Sequence, residues 1–210
     1  MHEIFKTLLF LICMIYSNTG FSHPVIYKSG YVLSTMLHRD YSHIHANYSL
    51  TSNFALGLNY ESFRPDTGKQ DYYYGQANYL LKRFHQTDSQ GNIYAKLGAG
   101  FDEIRNDLVF YSGIQADWET RTIFTELKVD ALYSEKDVHQ LRSSARIGIS
   151  PYEAEYDEMQ AWLIVQFEHD KNDSKDVRIT PLMRFFYKTA LWEVGSDLQG
   201  NWLLHFMVHI

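Results

Sequence analysis

Apolar and polar residues alternate with a period of two along much of the chain, and this pattern constrains the fold more than any other feature. Between residues 41 and 50, for example, Ile44, Ala46 and Tyr48 are separated by polar residues. Successive side chains of a β-strand point to opposite faces, so such a segment has one apolar and one polar side. Helical 3.6-residue periodicity is absent over any useful length. The same alternation recurs in the segments 56–61, 93–101, 123–133, 140–149 and 177–187.

The spacing of these segments predicts an all-β chain of roughly ten to twelve antiparallel strands, with twelve preferred. Most would contain about 9 to 11 residues, which is the length of a tilted strand that crosses a bilayer. An even number of strands brings both chain ends to the same side. The predicted strands are 27–37, 41–50, 53–63, 71–83, 92–102, 108–118, 122–133, 139–150, 159–169, 177–187, 190–197 and 201–210.

The connections between these strands form two sets. Tight connections at 51–52, 119–120 and 188–189 are typical of the periplasmic turns of outer-membrane barrels. The other set is polar and charged, as external loops are. It comprises 64–70, 103–107, 134–137, 170–176 and 198–200.

Composition separates a membrane barrel from other all-β classes. Aromatic residues make up 16% of the chain, yet only 45% of its residues are hydrophobic. The net charge of −6 and the absence of a basic run argue against a nucleic-acid partner. A soluble periplasmic ligand-binding barrel is the alternative. The ionisable residues on the polar strand faces favour a wet lumen over an apolar ligand cavity, and hence an apolar outer face against lipid.

Residues 1–22 have the features of a removable signal peptide. Lys6 precedes a short apolar core, and Gly20 and Ser22 place small residues before a cleavage site at His23. The alternative, lipidation at Cys13, lacks a small residue immediately before the cysteine. Cys13 is the one cysteine of the sequence, so the predicted mature domain, residues 23–210, contains none.

The last segment resembles the terminal strand that the barrel-assembly machinery of the outer membrane recognises. It alternates to the last residue, although that residue is isoleucine where phenylalanine is usual. The apolar positions of this predicted assembly signal are Trp202, Leu204, Phe206, Val208 and Ile210.

Hairpin geometry predicts ion pairs on the polar face. In an antiparallel hairpin the residue numbers of two opposite positions sum to a constant. Loops centred near residues 136 and 173 therefore fix which residues lie opposite each other. Such pairs either fill a narrow lumen or form a charged constriction that selects small solutes. The predicted pairs are Glu126 with Arg146, Asp130 with Arg142, and Glu168 with Arg178.

Histidine offers a second chemistry. His43 and His45 share the inward face of the second strand, and two imidazoles in this arrangement could bind copper or zinc. His205 and His209 lie on the last strand, but His209 would be at the opposite end of the barrel, which argues against a four-histidine site. The interpretation without a metal treats all four as ordinary lumen residues, and no other cofactor is expected.

Enzyme motifs are not found. Outer-membrane lipid hydrolases carry serine and histidine on the barrel rim, and Ser134, Glu135 and His139 lie near a predicted external rim. No surrounding pattern supports them, and there is no phosphate loop, HExxH or GxSxG sequence. A lipid-modifying hydrolase is therefore an alternative to a non-enzymatic role.

Three short stretches carry a family resemblance: Asn47-Tyr48-Ser49, NYLLKR at 78–83 and DSQGNIY at 88–94. They are similar to a group of small bacterial outer-membrane β-barrel proteins of unassigned function, some of which are associated with heavy-metal or copper efflux genes. The resemblance implies a barrel and an envelope role near metal homeostasis, and it brings no catalytic residue.

The sequence thus predicts a non-enzymatic outer-membrane barrel, acting as a narrow pore or as a small-solute or metal-linked envelope component. Its partners would be outer-membrane lipid and the assembly machinery. The oligomeric state is left open.

Overall fold

The computed structural model describes residues 23–64, 68–134, 138–155, 157–171 and 177–210. They form twelve strands joined into one closed barrel. None of the described residues belongs to a helix long and apolar enough to cross a bilayer. The strands are β1 (Tyr31–His38), β2 (Tyr41–Ser49), β3 (Phe54–Phe63), β4 (Gln70–His85), β5 (Ser89–Asp102), β6 (Asp107–Thr120), β7 (Ile123–Tyr133), β8 (Val138–Ile149), β9 (Gln160–Asp170), β10 (Arg178–Tyr187), β11 (Ala190–Ser196) and β12 (Trp202–His209).

Each strand pairs with its neighbours in sequence, and β1 pairs with β12 to close the ring. The predicted up-and-down barrel of twelve antiparallel strands is therefore confirmed. Most boundaries differ from the prediction by one to three residues. One predicted turn, 119–120, is wrong, because β6 continues to Thr120 and the connection is 121–122.

The first strand begins four residues later than predicted. Ser29 has a positive φ of 67°, and the Gly30 amide donates to the Tyr27 carbonyl at 3.1 Å, so the chain turns here. β1 therefore starts at Tyr31, and the residues before it are free to enter the barrel.

The two faces of the barrel have opposite polarity. Large apolar side chains point outward, among them Leu127, Ile147 and Phe206, which are 62%, 54% and 43% exposed. The buried, inward positions are mostly polar or charged, such as Glu61 and Glu193. This is the inverse of a soluble barrel, in which the apolar face is enclosed. An apolar outer face of this kind requires an apolar environment.

We call the end that holds both chain termini the terminal mouth, and the opposite end the distal mouth. Outward aromatic pairs lie near both. Tyr60 and Tyr73 contact each other near the distal mouth with tilted rings whose centroids are 4.8 Å apart, and Tyr31 and Tyr48 do so near the terminal mouth at 4.7 Å. Girdles of aromatic residues at the two membrane interfaces are typical of transmembrane barrels.

Candidate functional site: the lumen

Three cavities follow one another along the barrel interior. The distal cavity has a volume of about 930 Å³, the middle cavity 120 Å³ and the terminal cavity 520 Å³. Tyr41 and Arg142 line both the distal and the middle cavity, and His23 and Glu126 line both the middle and the terminal cavity. The three spaces therefore adjoin one another along the lumen, with the smallest in the middle.

Arg142 narrows the distal side of the middle cavity. It extends from β8 to the opposite wall, where its Nη2 lies 3.5 Å from Glu61 Oε2 on β3 and donates to the Tyr41 hydroxyl on β2 at 3.1 Å. Its guanidinium also covers the Tyr41 ring at 4.5 Å from the centroid, a cation–π geometry. Tyr74 donates its hydroxyl proton to Glu61 Oε1. The carboxylate is thus fixed from both sides of the lumen.

A second cluster surrounds Glu193, whose side chain is fully buried. Arg184 Nε donates to Oε1 at 2.7 Å, and Arg146 Nη1 lies 3.4 Å from Oε2. His205 Nδ1 is 2.9 Å from Oε2, and its Nε2 is 2.9 Å from Ser34 Oγ. A buried carboxylate needs such compensation, because it loses its hydration. We call Ser34, Arg146, Arg184, Glu193 and His205 the Glu193 cluster.

An ion pair and side-chain hydrogen bonds continue from this cluster along the wall. Arg146 Nε lies 3.7 Å from Glu126 Oε1. Gln115 donates to Glu126 Oε2 at 3.1 Å and accepts from Lys96 Nζ at 2.7 Å. The middle of the lumen is therefore lined by a connected polar network, which makes it hydrophilic and holds its side chains in place.

The structure places the residues of each predicted ion pair opposite one another. Glu126 pairs in register with Arg146, Asp130 with Arg142, and Glu168 with Arg178. Their charged atoms approach to 3.7 Å in the first pair and 3.5 Å in the third. In the second pair, Asp130 and Arg142 each have another charged partner.

Those other partners, and the whole Glu193 cluster, were missed by the sequence reasoning. Asp130 lies 3.0 Å from Lys128, and Arg142 reaches Glu61. Arg142 and Glu61 are not register partners, because four strands separate them in the ring. For the Glu193 cluster the usable signal was the register of the two hairpins that contain β11, which sets Arg184 and His205 opposite Glu193.

His43 and His45 point into the lumen with ring centroids 5.0 Å apart. His43 Nε2 is 3.0 Å from Asn59 Oδ1 and 3.8 Å from Glu61 Oε1. Met36 pairs in register with both His43 and His205, so these two lie at one level, and His209 lies nearer the terminal mouth. In the part of the chain that the structure describes, no three His, Cys, Asp or Glu residues are grouped to hold a metal. Copper or zinc binding at His43 and His45 stays a prediction.

Of the predicted rim residues, Ser134 and His139 lie at the distal mouth. His139 is buried, and its Nδ1 is 2.9 Å from Arg105 Nη1. Glu135 falls outside the described residues, so the structure does not test the predicted grouping of Ser134, His139 and Glu135. Hydrolase activity stays a prediction.

The described walls of the two mouths differ in charge. Six Lys or Arg and three Asp or Glu side chains line the distal cavity. Three Lys or Arg and seven Asp or Glu side chains line the terminal cavity. The basic side chains of the distal cavity are Arg39, Arg64, Arg105, Arg142, Lys171 and Arg178.

The last strand closes the ring. Trp202, Leu204 and Phe206 are exposed on the outer face. Ile210 and Tyr31 exchange backbone hydrogen bonds at 2.7 and 2.9 Å. This edge-to-edge seam is the expected place of a terminal assembly strand, and recognition of Val208 and its neighbours by the assembly machinery stays a prediction.

Solved structures of porins have the same architecture. The KdgM porin in complex with disordered oligogalacturonate aligns with a TM-score of 0.53 and 9% identity, over 86% of this chain and 97% of that one. The KdgM porin alone aligns with a TM-score of 0.50 and 9% identity, over 85% and 98%. No model of a known protein family matches the sequence, and no curated protein matches it. At this identity the likeness establishes the barrel fold and carries over no residue roles.

Proposed function

We propose that the chain forms a narrow, porin-like channel in the bacterial outer membrane that passes small polar solutes and favours anions. The observation that carries this proposal is the row of three adjoining cavities, which occupies the barrel interior from one mouth to the other and is lined by many polar and charged side chains. A barrel that served only as a membrane anchor would not need a wide cavity with charged side chains at each mouth.

The outer-membrane location is supported by the barrel surface. Its apolar outer face and two sets of aromatic pairs fit a bilayer. With twelve strands, both chain ends share one side, and in outer-membrane barrels that side is the periplasm. The terminal mouth then faces the periplasm and the distal mouth faces the exterior.

The preference for anions is supported by the described distal wall. A surplus of cationic side chains raises the local concentration of anions where a solute would enter. Arg39 and Arg64 are exposed there, so their charges reach the solution. The middle of the lumen carries both signs in close pairs and contributes less net selectivity. Selection by charge at a pore entrance follows the physics of charged rings in channels.

Conductance and reversal potential in planar bilayers test the proposal. The mature protein, residues 23–210, should give small single-channel steps, with a reversal potential in a KCl gradient that indicates chloride preference. The double variant Arg39→Gln/Arg64→Gln should shift the reversal potential towards cation preference. Lys28→Gln/Lys82→Gln changes the net charge equally at the other end of the barrel and serves as the control.

Two results would contradict this assignment. Folded protein that gives no conductance steps would exclude a pore. Steps whose reversal potential is the same in both double variants would exclude the distal arginines as the source of selectivity.

A further inference from the structure

The residues before β1 lie inside the barrel at the terminal mouth. His23 is 7% exposed, and Val25 is fully buried in contact with Ala55, Leu80 and Tyr94. These contacts belong to β3, β4 and β5. The segment is therefore packed against the lumen wall and is not a free tail.

The same segment also contacts the opposite part of the ring. Ile26 packs against Val32, Leu191 and Met207 on β1, β11 and β12, and its amide donates to Ser49 Oγ at 3.1 Å. His23 reaches β5 and β6 in the other direction. Because β6 and β12 are six strands apart in a ring of twelve, residues 23–26 cross the lumen.

The crossing lies where the middle and terminal cavities meet. His23 lines both cavities, and Pro24 lines the middle one. The segment is held by apolar contacts at Val25 and Ile26, whereas its leading residue lies in a polar pocket. Removal of the predicted signal peptide would make that leading residue the start of the mature chain.

The polar pocket contains two carboxylates and an amide. His23 Nδ1 is 3.6 Å from Asp117 Oδ2, and Nε2 is 3.8 Å from Glu119 Oε1 and 3.1 Å from Gln90 Nε2. Asp117 is only 7% exposed, and its Oδ2 accepts no hydrogen bond in the described structure. A buried carboxylate oxygen without a donor favours a cationic partner.

We propose that residues 23–27 form a tethered plug, and that Asp117, Glu119 and Gln90 are a binding site for its positively charged amino-terminal end. The pocket takes an organic cation, the α-ammonium group that signal-peptide removal would create at His23, while the imidazole Nε2 accepts from the Gln90 amide. The plug narrows the periplasmic side of the channel. This inference rests on the proposed pore function.

Single-channel recordings of the mature protein and of a variant that lacks residues 23–27 test the plug. The shortened protein should conduct at least about twofold more, because the obstruction at the terminal mouth is gone. The synthetic peptide His-Pro-Val-Ile-Tyr, added at the periplasmic side, should reduce the conductance of the shortened protein again. The matched peptide Ala-Pro-Val-Ile-Tyr, without the imidazole, should block more weakly.

The variant Asp117→Asn/Glu119→Gln keeps the whole segment and removes the charge of its pocket. It should raise the conductance of the mature protein, and in the shortened protein it should weaken the block by the histidine peptide about tenfold or more. Folding of each variant is verified by its heat-modifiable mobility in gels. If the shortened variant does not fold, this pair of substitutions decides the question.

The outcomes separate the two proposals. Equal conductance of the mature, shortened and doubly substituted proteins, with no block by peptide, overturns the plug and leaves the pore intact. Absence of conductance in every folded form overturns the pore and the plug together.

Discussion

Arg142 and Glu61 form an ion pair between strands that are not neighbours, with Nη2 and Oε2 3.5 Å apart. Both side chains are largely buried, and Tyr74 holds the carboxylate on its other side. The pair spans the lumen on the distal side of its narrowest cavity, of 120 Å³. At this level the lumen is therefore crossed by a charged side chain.

Replacing Glu61 by Ala should widen the passage. The variant removes the carboxylate that draws Arg142 across the lumen, so the guanidinium can return to the β8 wall beside Asp130, its register partner. We expect single-channel conductance to rise, by about twofold, because the change lies at the narrowest part. Glu103→Ala, an exposed residue of the β5–β6 connection, is the control and should leave conductance unchanged. Equal conductance in the two variants would mean that Arg142 does not limit the passage.

Glu193→Gln should destabilise the barrel strongly. Removing this charge leaves Arg146 and Arg184 buried without their shared carboxylate, a loss of about 3–5 kcal/mol by analogy with broken buried pairs. The urea midpoint for loss of the folded gel band, measured in one detergent, reports the change. Glu153→Gln removes an exposed partner of Arg121, 56% accessible, and should cost no more than about 1 kcal/mol. A similar midpoint shift in both variants would contradict the role assigned to the Glu193 cluster.

Leu127→Arg should be destabilising only if the outer face lies in lipid. Leu127 is 62% exposed in the middle of β7, and arginine near the centre of a bilayer costs about 2–4 kcal/mol in transmembrane barrels. Leu198 is 69% exposed in the β11–β12 connection, outside the strands, so Leu198→Arg should be neutral. Refolding into lipid vesicles with urea titration compares the two. Neutral behaviour of both would indicate that the outer face is in water.

The turn between β11 and β12 should depend on pH through Asp197. Burial alone would raise the pKa of this carboxyl, but hydrogen bonds from Asn201 and Gln199 and the charge of Arg178 outweigh it and lower the pKa below its ordinary value. The stabilisation is therefore present above the unfolded-state pKa and is lost as the pH falls through the folded-state pKa.

Asp197→Asn removes this dependence. The difference in urea midpoint between the original protein and the variant should be largest at neutral pH and should shrink as the solution becomes acidic. At neutral pH the loss of charged hydrogen bonds should cost about 1–3 kcal/mol. A difference that stays constant from neutral to acidic pH would contradict the assigned role of the carboxylate.

The fold was predictable because each of its determinants is local in sequence. Alternation identifies the strands, and the spacing of a hairpin fixes its register, so Glu126 was placed opposite Arg146 from the sequence alone. The outward direction of Leu127 and Phe206 followed from the same alternation. These inferences use only the period of a strand and the antiparallel rule.

The contacts that cross the lumen were less predictable because they are distant in sequence. Arg142 and Glu61 are 81 residues apart, and Arg146 and Glu193 are 47 apart. Such contacts depend on barrel diameter and side-chain length, which alternation does not encode. The same holds for His23, which was identified as the start of the mature chain and not as a lumen residue.

One hydrogen bond ties these side-chain contacts to the topology. Ser34 and His205, 2.9 Å apart, stand on β1 and β12, the first and last strands to be synthesised, and His205 in turn contacts Glu193. Until β1 and β12 pair, His205 lacks its contact with Ser34. The Glu193 carboxylate is then incompletely compensated and stays hydrated. Pairing of β1 with β12 and dehydration of the interior charges are therefore coupled. An intermediate in which these two strands are not yet paired should remain hydrated and reopen easily.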